Sequence, residues 1–437
     1  MDTFFHFEER GSSFATEMRA GLTTFLAMAY IIAVNPAVLS AAGIDAGAVA
    51  CMTCVGAGIM TICMGLFANR PLACASGLGV NAMAAGITST VCGGDWHLAM
   101  AVIFLEGIVI LILVVCGLRE AIMDAIPVVL RHAISVGLGL FVAMIGLVDA
   151  GIISAGKGTV ITLGDVSSPA FIVGIISIII TVALSVRKVP GSLLIGIIAA
   201  VIIGIPMGVT PMPKSIVAPL DFSCVGGPLA KTKDGSVAIL KVLTDPTLLV
   251  ISFSLLMSDF FDTMGTAMAV AKQGKFLAED GNVENIKEIL VVDSAAAAVG
   301  GFMGVSSITT FVESSSGAAD GGRSGLTSVA TGVLFLIAAF FSPVVACVPS
   351  AATCGALVYV GFLMMSEVAE IDWSSVTDGF PAFLIIAGVP MTYSISSGIG
   401  LGFIAYVVLA VFAGKAKEIK PLMWVAAIAF LIYFLVS

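Results

Sequence analysis

The chain has 437 residues, of which 59% are hydrophobic and only 11% are charged. Soluble domains carry about 25% charged residues, so an ordinary soluble globular protein is excluded. The net charge of −9 includes no basic tract, which argues against a nucleic-acid partner. The mean hydropathy is +1.14, and the apolar runs are continuous rather than alternating, which excludes a β-barrel. We therefore expect an all-α integral membrane protein whose surroundings are the lipid bilayer.

Apolar stretches of about 20 residues, each long enough to cross the bilayer as a helix, follow one another along the chain. We predict fourteen transmembrane spans and a further apolar stretch at residues 421–436. The spans cover residues 21–40, 47–68, 72–91, 97–117, 128–150, 169–186, 190–208, 247–270, 287–303, 306–320, 325–347, 352–366, 379–394 and 396–413. If these spans alternate in direction, the lysines and arginines of the short loops fall on one side of the membrane. The positive-inside rule then predicts a cytoplasmic N-terminus in the inner (cytoplasmic) membrane.

The spacing of the spans predicts an internal repeat. Span one begins at residue 21 and span eight at 247, while span three begins at 72 and span ten at 306, so the two offsets are nearly equal. With seven spans in each half, the second half must run upside down relative to the first. This inverted-repeat layout is typical of secondary transporters.

Spans three and ten are predicted to be interrupted helices. Each is short and begins with small or hydroxylated residues before a polar side chain, which is Asn81 in span three and Glu313 in span ten. An extended segment that leads into a half-helix leaves free N–H groups at mid-membrane, and such backbone is tolerated only where it lines a cavity. The alternative is that the small residues only let helices pack closely. The matched pair favours a polar pocket at the membrane midplane.

Span eight carries two carboxylates inside an apolar stretch. Asp259 and Asp262 are three residues apart and therefore share one face of a helix. A charged group at mid-bilayer costs at least ~2.5–3.5 kcal/mol, so these acids must face a wet cavity or a ligand, or carry a proton. Burial and a like-charged neighbour both favour the protonated carboxyl, which fits an exchange of protons during transport. The alternative is a carboxylate that only hydrogen-bonds neighbouring helix ends.

Three other charged residues receive less prominent predictions. Glu106 in span four is interpreted as a structural or proton-relay acid, and Asp293 at the start of span nine as interfacial. Arg323 is expected to cap the cytoplasmic start of span eleven and to extend to the membrane surface.

Neither a metal site nor an enzyme active site is predicted. The chain has three histidines, His6, His97 and His132, and they lie far apart near span ends. A nucleotide-binding motif and a nucleophile–base pair are both missing from the sequence, so we expect no cofactor beyond a proton as the coupling ion. A membrane enzyme and a passive channel remain as alternatives of another class.

Several motifs together resemble the AzgA-like purine permeases, the adenine/guanine/hypoxanthine branch of the nucleobase–cation symporter superfamily. They are Gly21–Pro36 in span one, Ala68–Pro71 and Gly77–Ala82 at span three, Asp259–Thr263 in span eight, Thr309–Ser314 in span ten and Gly321–Thr327 before span eleven. The resemblance covers nearly the whole chain. The sequence departs from the family at Ala73–Ser76, where a bulkier residue is usual, and this departure bears on which purine is preferred.

The resemblance implies a secondary active transporter that imports hypoxanthine, guanine, adenine or xanthine by proton symport through an elevator-type movement. It implies substrate binding by Asp259, Glu313, Asn81, Gly79, Thr310 and Ser314, and proton coupling by Asp262, Asp259 and Glu313. A homodimer is also implied. A uracil/xanthine-type carrier or a small-anion carrier on the same fold is the alternative.

The resemblance also implies two domains built from alternating parts of the chain. A core domain comprises residues 21–117 and 247–347, and a gate domain comprises residues 128–208 and 352–413. The remaining parts are a cytoplasmic N-terminus (residues 1–20), an extracytoplasmic loop (209–246) and a C-terminal apolar segment (414–437).

Overall fold

Helices that follow the hydrophobic spans account for most of the chain. The computed structural model describes residues 2–117, 126–156, 161–187, 189, 192–213, 215–276, 283–345 and 347–436. In the first half the helices are α1 (Asp2–Phe5), α2 (Phe14–Met28), α3 (Ile31–Ser40), α4 (Ala46–Phe67), α5 (Leu78–Thr90), α6 (Trp96–Val115), α7 (Val128–Asp149), α8 (Pro169–Val186) and α9 (Ser192–Gly204). In the second half they are α10 (Ala238–Thr244), α11 (Pro246–Gly274), α12 (Ile286–Met303), α13 (Ser314–Ala319), α14 (Gly325–Ala338), α15 (Ser342–Val345), α16 (Ser350–Met364), α17 (Val376–Thr392), α18 (Ile395–Phe412) and α19 (Pro421–Val436).

Extended structure is confined to short segments. The strands are β1 (Cys74–Ser76), β2 (Ile153–Ser154), β3 (Thr162–Leu163) and β4 (Ile308–Thr310). Single 3₁₀ turns cover Gly227–Leu229, Ala339–Phe341, Met365–Glu370 and Ala416–Glu418. Strand β1 pairs with β4 and β2 pairs with β3, both antiparallel.

The protein is an all-α integral membrane protein, as the composition predicts. Within the described residues, seven helical segments are long and apolar enough to cross a membrane, and α10 with the first part of α11 forms a pair bent by 96°. Shorter apolar helices are found in α9, α17, α18 and α19. The predicted spans coincide in order with these helices and with the strand–helix pairs β1–α5 and β4–α13. Their ends agree within four residues, except that α2 begins at Phe14, whereas span one was predicted to begin at residue 21.

The helices pack in two groups. In the first group, which we call the inner group, α14 packs against α4 and α2, while α12 packs against α6 and α4. In the second group, the outer group, α16 packs against α7, α8 and α9, and α17 packs against α7 and α18. The division into transporting core and gate domains stays a prediction.

A glycine allows a close contact between two helices of the inner group. A Cβ at Gly107 of α6 would overlap the backbone of Ala298 in α12. The two helices therefore touch backbone to backbone, and this contact fixes the neighbouring Glu106 in the interior.

Candidate functional site

The extended parts of the two interrupted helices, strands β1 and β4, pair with each other in the middle of the inner group. Cys74 lies opposite Thr310, and Ser76 lies opposite Ile308. Beyond the strands, the Gly77 amide donates to the Ser307 carbonyl at 2.9 Å. Because the pairing is antiparallel, α5 and α13 leave the strands in opposite directions, as an inverted repeat requires. Both predicted interruptions are confirmed.

Asn35 of α3 holds this strand pair against the surrounding helices. Its side-chain nitrogen lies 2.8 Å from Thr53 Oγ1, 3.1 Å from Ser76 Oγ and 3.1 Å from the Val305 carbonyl oxygen. These partners belong to α4, β1 and the segment before β4. One buried carboxamide therefore joins both halves of the chain at the site.

Asp293 is a buried acid of the site, and the prediction that it is interfacial was wrong. Its side chain is 2% exposed. It accepts hydrogen bonds from the Thr263 hydroxyl at 2.6 Å, the Thr309 hydroxyl at 3.1 Å and the Thr310 amide at 2.9 Å. The carboxylate thus ties β4 to α11 and α12. Asp293 is the seventh residue of the predicted span 287–303, and this distance from the start of the span was the available sequence signal for burial.

Two further acids lie close together behind the strand pair. Asp259 of α11 is 1% exposed, and its Oδ2 accepts from the Ser307 hydroxyl at 3.3 Å. Glu106 of α6 is fully buried and lies within electrostatic reach of Asp259 and, more weakly, of Asp293. No hydroxyl or N–H group among the described residues donates to Glu106, whose hydrogen-bonding neighbour is the Asp259 carboxyl. The predicted role of Asp262 concerns a side chain that lies outside the described residues.

Glu313 occupies the position before the first residue of α13. Its Oε1 accepts a hydrogen bond of 2.6 Å from the Tyr30 hydroxyl. Tyr30 is 1% exposed and lies in the short break between α2 and α3. Its ring also contacts Phe311, with 6.5 Å between the ring centroids. Tyr30 lies within the Gly21–Pro36 motif, but no role was predicted for it from the sequence. A tyrosine in the middle of an apolar span was the available signal.

The other predicted binding residues take different positions around the strand pair. Asn81 is fully buried in α5, and neither its side-chain nitrogen nor its oxygen has a hydrogen-bond partner in the described part of the chain. Gly79 of the same helix is half-buried and faces Leu138. Thr310 is buried beside Asp293, whereas the Ser314 hydroxyl accepts from the Ala73 amide at 2.9 Å.

Arg323 and Glu17 lie at the junction between α13 and α14 and cap the helix ends that meet there. The guanidinium of Arg323 donates to the carbonyl of Ala318 at 2.5 Å, near the end of α13. The fully buried Glu17 accepts from the Arg323 amide at 2.9 Å and from the Thr327 hydroxyl at 2.6 Å, at the start of α14. A carboxylate at a helix N-terminus is stabilising because free amides and the helix dipole favour negative charge there. Arg323 thus caps the end of α13 through its side chain, and the prediction that it caps the start of span eleven was wrong, because Glu17 caps α14.

A cavity lies between the inner and outer groups and reaches Glu313. Its volume is about 450 Å³, within the range of ligand pockets. It is lined by Thr23, Ala27, Ser185, Val189, Ser192, Leu193, Val312, Glu313, Ser315, Ser316, Tyr359 and Leu363. Among the predicted site residues, Glu313 reaches this cavity, whereas Asp259, Asn81, Gly79, Thr310 and Ser314 do not line it.

Comparison with known proteins assigns the family. Residues 15–401 match the Permease family. The chain belongs to this family. It is 38% identical to the guanine/hypoxanthine permease PbuG of Bacillus subtilis, over 100% of this chain and 99% of that protein. It is 36% identical to the adenine permease AdeP of Escherichia coli, over 99% and 95% of the two chains. The resemblance to purine permeases is thereby confirmed.

Solved structures of similar fold are also transporters. The transmembrane domain of the cyanobacterial bicarbonate transporter BicA aligns with a TM-score of 0.62 at 15% identity, covering 90% of this chain and 97% of that one. SLC26A9 aligns with a TM-score of 0.62 at 12% identity, covering 91% and 65%. At such low identity, the likeness establishes the fold alone.

Proposed function

We propose that this permease imports purine nucleobases by proton symport. The observation that carries the proposal is the antiparallel pair of interrupted helices inside an apolar bundle. Beside it lie Asp259 and Glu313, which accept hydrogen bonds from the Ser307 and Tyr30 hydroxyls. Full-length similarity to permeases named for guanine, hypoxanthine and adenine supports purines as the cargo.

The chemistry of the site suits a flat base with several hydrogen-bonding edges. A carboxylate such as Glu313 accepts hydrogen bonds only, while the carboxamide of Asn81 both donates and accepts. A purine carries ring N–H donors together with ring-nitrogen or carbonyl acceptors. We propose that Glu313, which borders the cavity, accepts an N–H group of a base that enters there. When the base advances to the strand pair, Asp259 accepts its N–H groups and Asn81 both donates to it and accepts from it, with Gly79, Thr310 and Ser314 shaping the remaining wall.

Proton coupling is assigned to the buried acids. Asp259 and Glu106 lie near each other away from water, and it is costly to keep two adjacent buried carboxylates ionised. A proton that enters with the purine would relieve this cost. Asp262 and Glu313 complete the proposed set of coupling residues. Each charge that moves inward gains ~2.3 kcal/mol per 100 mV, which is enough to drive accumulation.

The transport cycle is proposed to be an elevator movement of the inner group, as core domain, against the outer group, as gate domain. The cavity lies between the two groups, beside Thr23, which donates to Asp320 at 2.9 Å near the Arg19–Asp320 ion pair. With a cytoplasmic N-terminus in the inner membrane, this cavity would face the cytoplasm. A homodimer through outer-group helices would hold the gate domains still during the movement.

Uptake of radiolabelled hypoxanthine, guanine, adenine and xanthine by cells that lack their own purine permeases tests the proposal. We expect uptake that a protonophore abolishes and that Asp259→Asn or Glu313→Gln lowers at least ten-fold at equal membrane abundance. Asp165→Asn, a change of an exposed acid in a turn, is the matched control. Uptake of no purine by the wild-type protein would refute the cargo, and protonophore-insensitive uptake would refute the coupling.

A uracil/xanthine-type or small-anion carrier is the second candidate. The bicarbonate transporter BicA shares the fold, so the fold by itself does not decide between these cargoes. The carboxylate of Glu313 at the start of α13 opposes an anion, because it would repel negative charge at the helix end that attracts anions. Competition of labelled hypoxanthine uptake by unlabelled uracil and bicarbonate separates the candidates.

A further inference from the structure

The outer wall of the cavity carries a pair of serines from neighbouring helices. Ser185 lies near the end of α8, and Ser192 is the first residue of α9. Both line the 450 Å³ cavity that Glu313 borders from the inner group. The side chain of Ser192 is buried, with 7% exposure.

The hydrogen bonds of this pair determine what Ser192 can offer to a ligand. The Ser185 hydroxyl donates to the Thr181 carbonyl at 2.8 Å, which uses its single hydrogen. The two serine oxygens are 2.9 Å apart, so the hydrogen between them must come from Ser192. Ser192 therefore presents only lone pairs to the cavity.

The inner wall also presents hydrogen-bond acceptors to the cavity, at Thr23 and Glu313. Thr23 donates its hydrogen to Asp320 at 2.9 Å, which leaves an acceptor toward the cavity. The Glu313 carboxylate is likewise an acceptor. Acceptors from both helix groups thus face one space, and they complement a ligand with N–H donors at both ends.

We infer that Ser192 is a specificity-determining residue that accepts the ring N1–H of a 6-oxopurine. This inference rests on the proposed function and deepens it. Hypoxanthine, guanine and xanthine all carry hydrogen on N1, whereas adenine has a lone pair there. An acceptor facing N1 binds the first three bases and repels adenine, because two lone pairs are then opposed without a hydrogen between them.

Two substitutions at the serine pair test the inference. Ser192→Ala removes the acceptor, and we expect the preference for hypoxanthine over adenine, measured as the ratio of their inhibition constants, to fall by about 2- to 10-fold. Ser185→Ala keeps Ser192 but frees its hydrogen, so Ser192 can donate to N1 of adenine. The preference should then fall further than in Ser192→Ala. Ser40→Ala, an exposed serine bonded to the Ala37 carbonyl, is the control and should leave the ratio unchanged.

The outcomes separate this inference from the proposed function. A wild-type protein that takes up no labelled purine refutes the proposed function. A transporting wild type whose base preference is unchanged in both variants, or whose affinities for both bases change equally, overturns the role of Ser192 and leaves purine transport standing.

Discussion

Replacing Asp293 by alanine tests whether this carboxylate holds the second interrupted helix in place. The change removes the acceptor of the Thr263 hydroxyl, the Thr309 hydroxyl and the Thr310 amide. Hydrogen bonds to a charged group contribute about 1.5–3 kcal/mol each, so their loss costs roughly 4.5–9 kcal/mol. Removing a carboxylate from mid-membrane returns about 2.5–3.5 kcal/mol. A net destabilisation of about 1–6.5 kcal/mol follows.

The loss should appear in stability and in transport together. Strand β4 ends at Thr310, three residues before Glu313, so a displaced strand also displaces the proposed binding carboxylate. We expect a lower melting temperature of the detergent-purified protein and at least ten-fold slower purine uptake. Asp293→Asn keeps an oxygen for the Thr310 amide and should lose less. Asp165→Ala is the control for an exposed acid. An Asp293→Ala protein with wild-type melting and uptake would refute the bracing role.

Two further predictions concern hydrogen bonds between helices. Tyr30→Phe removes the 2.6 Å hydrogen bond to Glu313 and should raise the KM for purine uptake about ten-fold or more. Tyr406→Phe in α18 is the control and should leave the KM unchanged. An unchanged KM in Tyr30→Phe would contradict a role of Tyr30 in orienting the carboxylate. Glu17→Ala removes the acceptor of the amides at the start of α14 and of the Thr327 hydroxyl. It should therefore destabilise the purified protein by about 1–3 kcal/mol. An unaltered melting temperature would show that water replaces the carboxylate as the cap.

The sequence was sufficient to predict the spans and the two interruptions because both depend on local properties. An apolar run of about 20 residues defines a span by its length. The small and hydroxylated residues of Ala73–Ser76 and Ser306–Thr310 favour extended chain over continuous helix, and these two segments contain the strands β1 and β4. The acids Asp259 and Glu313 stood out because a charge is costly within such runs.

The partners of these groups could not be predicted, because they lie far away along the chain. Asn35 reaches Val305, and Tyr30 reaches Glu313, only once the helices pack. Ser314 was predicted to bind substrate by position in the motif, yet its hydroxyl accepts from the Ala73 amide. The cavity likewise combines residues from both halves of the chain, and no local pattern marks Ser192 as part of its wall.

The buried acids differ in how firmly their charge is held, and this difference suggests how they divide their work. Asp293 accepts three hydrogen bonds of 2.6, 2.9 and 3.1 Å, one of them from a backbone amide that cannot turn away, so its anion is fixed in place. Asp259 instead receives a longer bond of 3.3 Å from Ser307 and has the fully buried Glu106 as a neighbour. Holding both Asp259 and Glu106 ionised is costly, so we expect that one of the two carries a proton. Asp293, whose carboxylate is held by fixed donors, is therefore suited to a structural role. Asp259 and Glu106, which share one proton, are suited to proton coupling, because a small change in the hydration of the pair decides whether the proton stays or leaves.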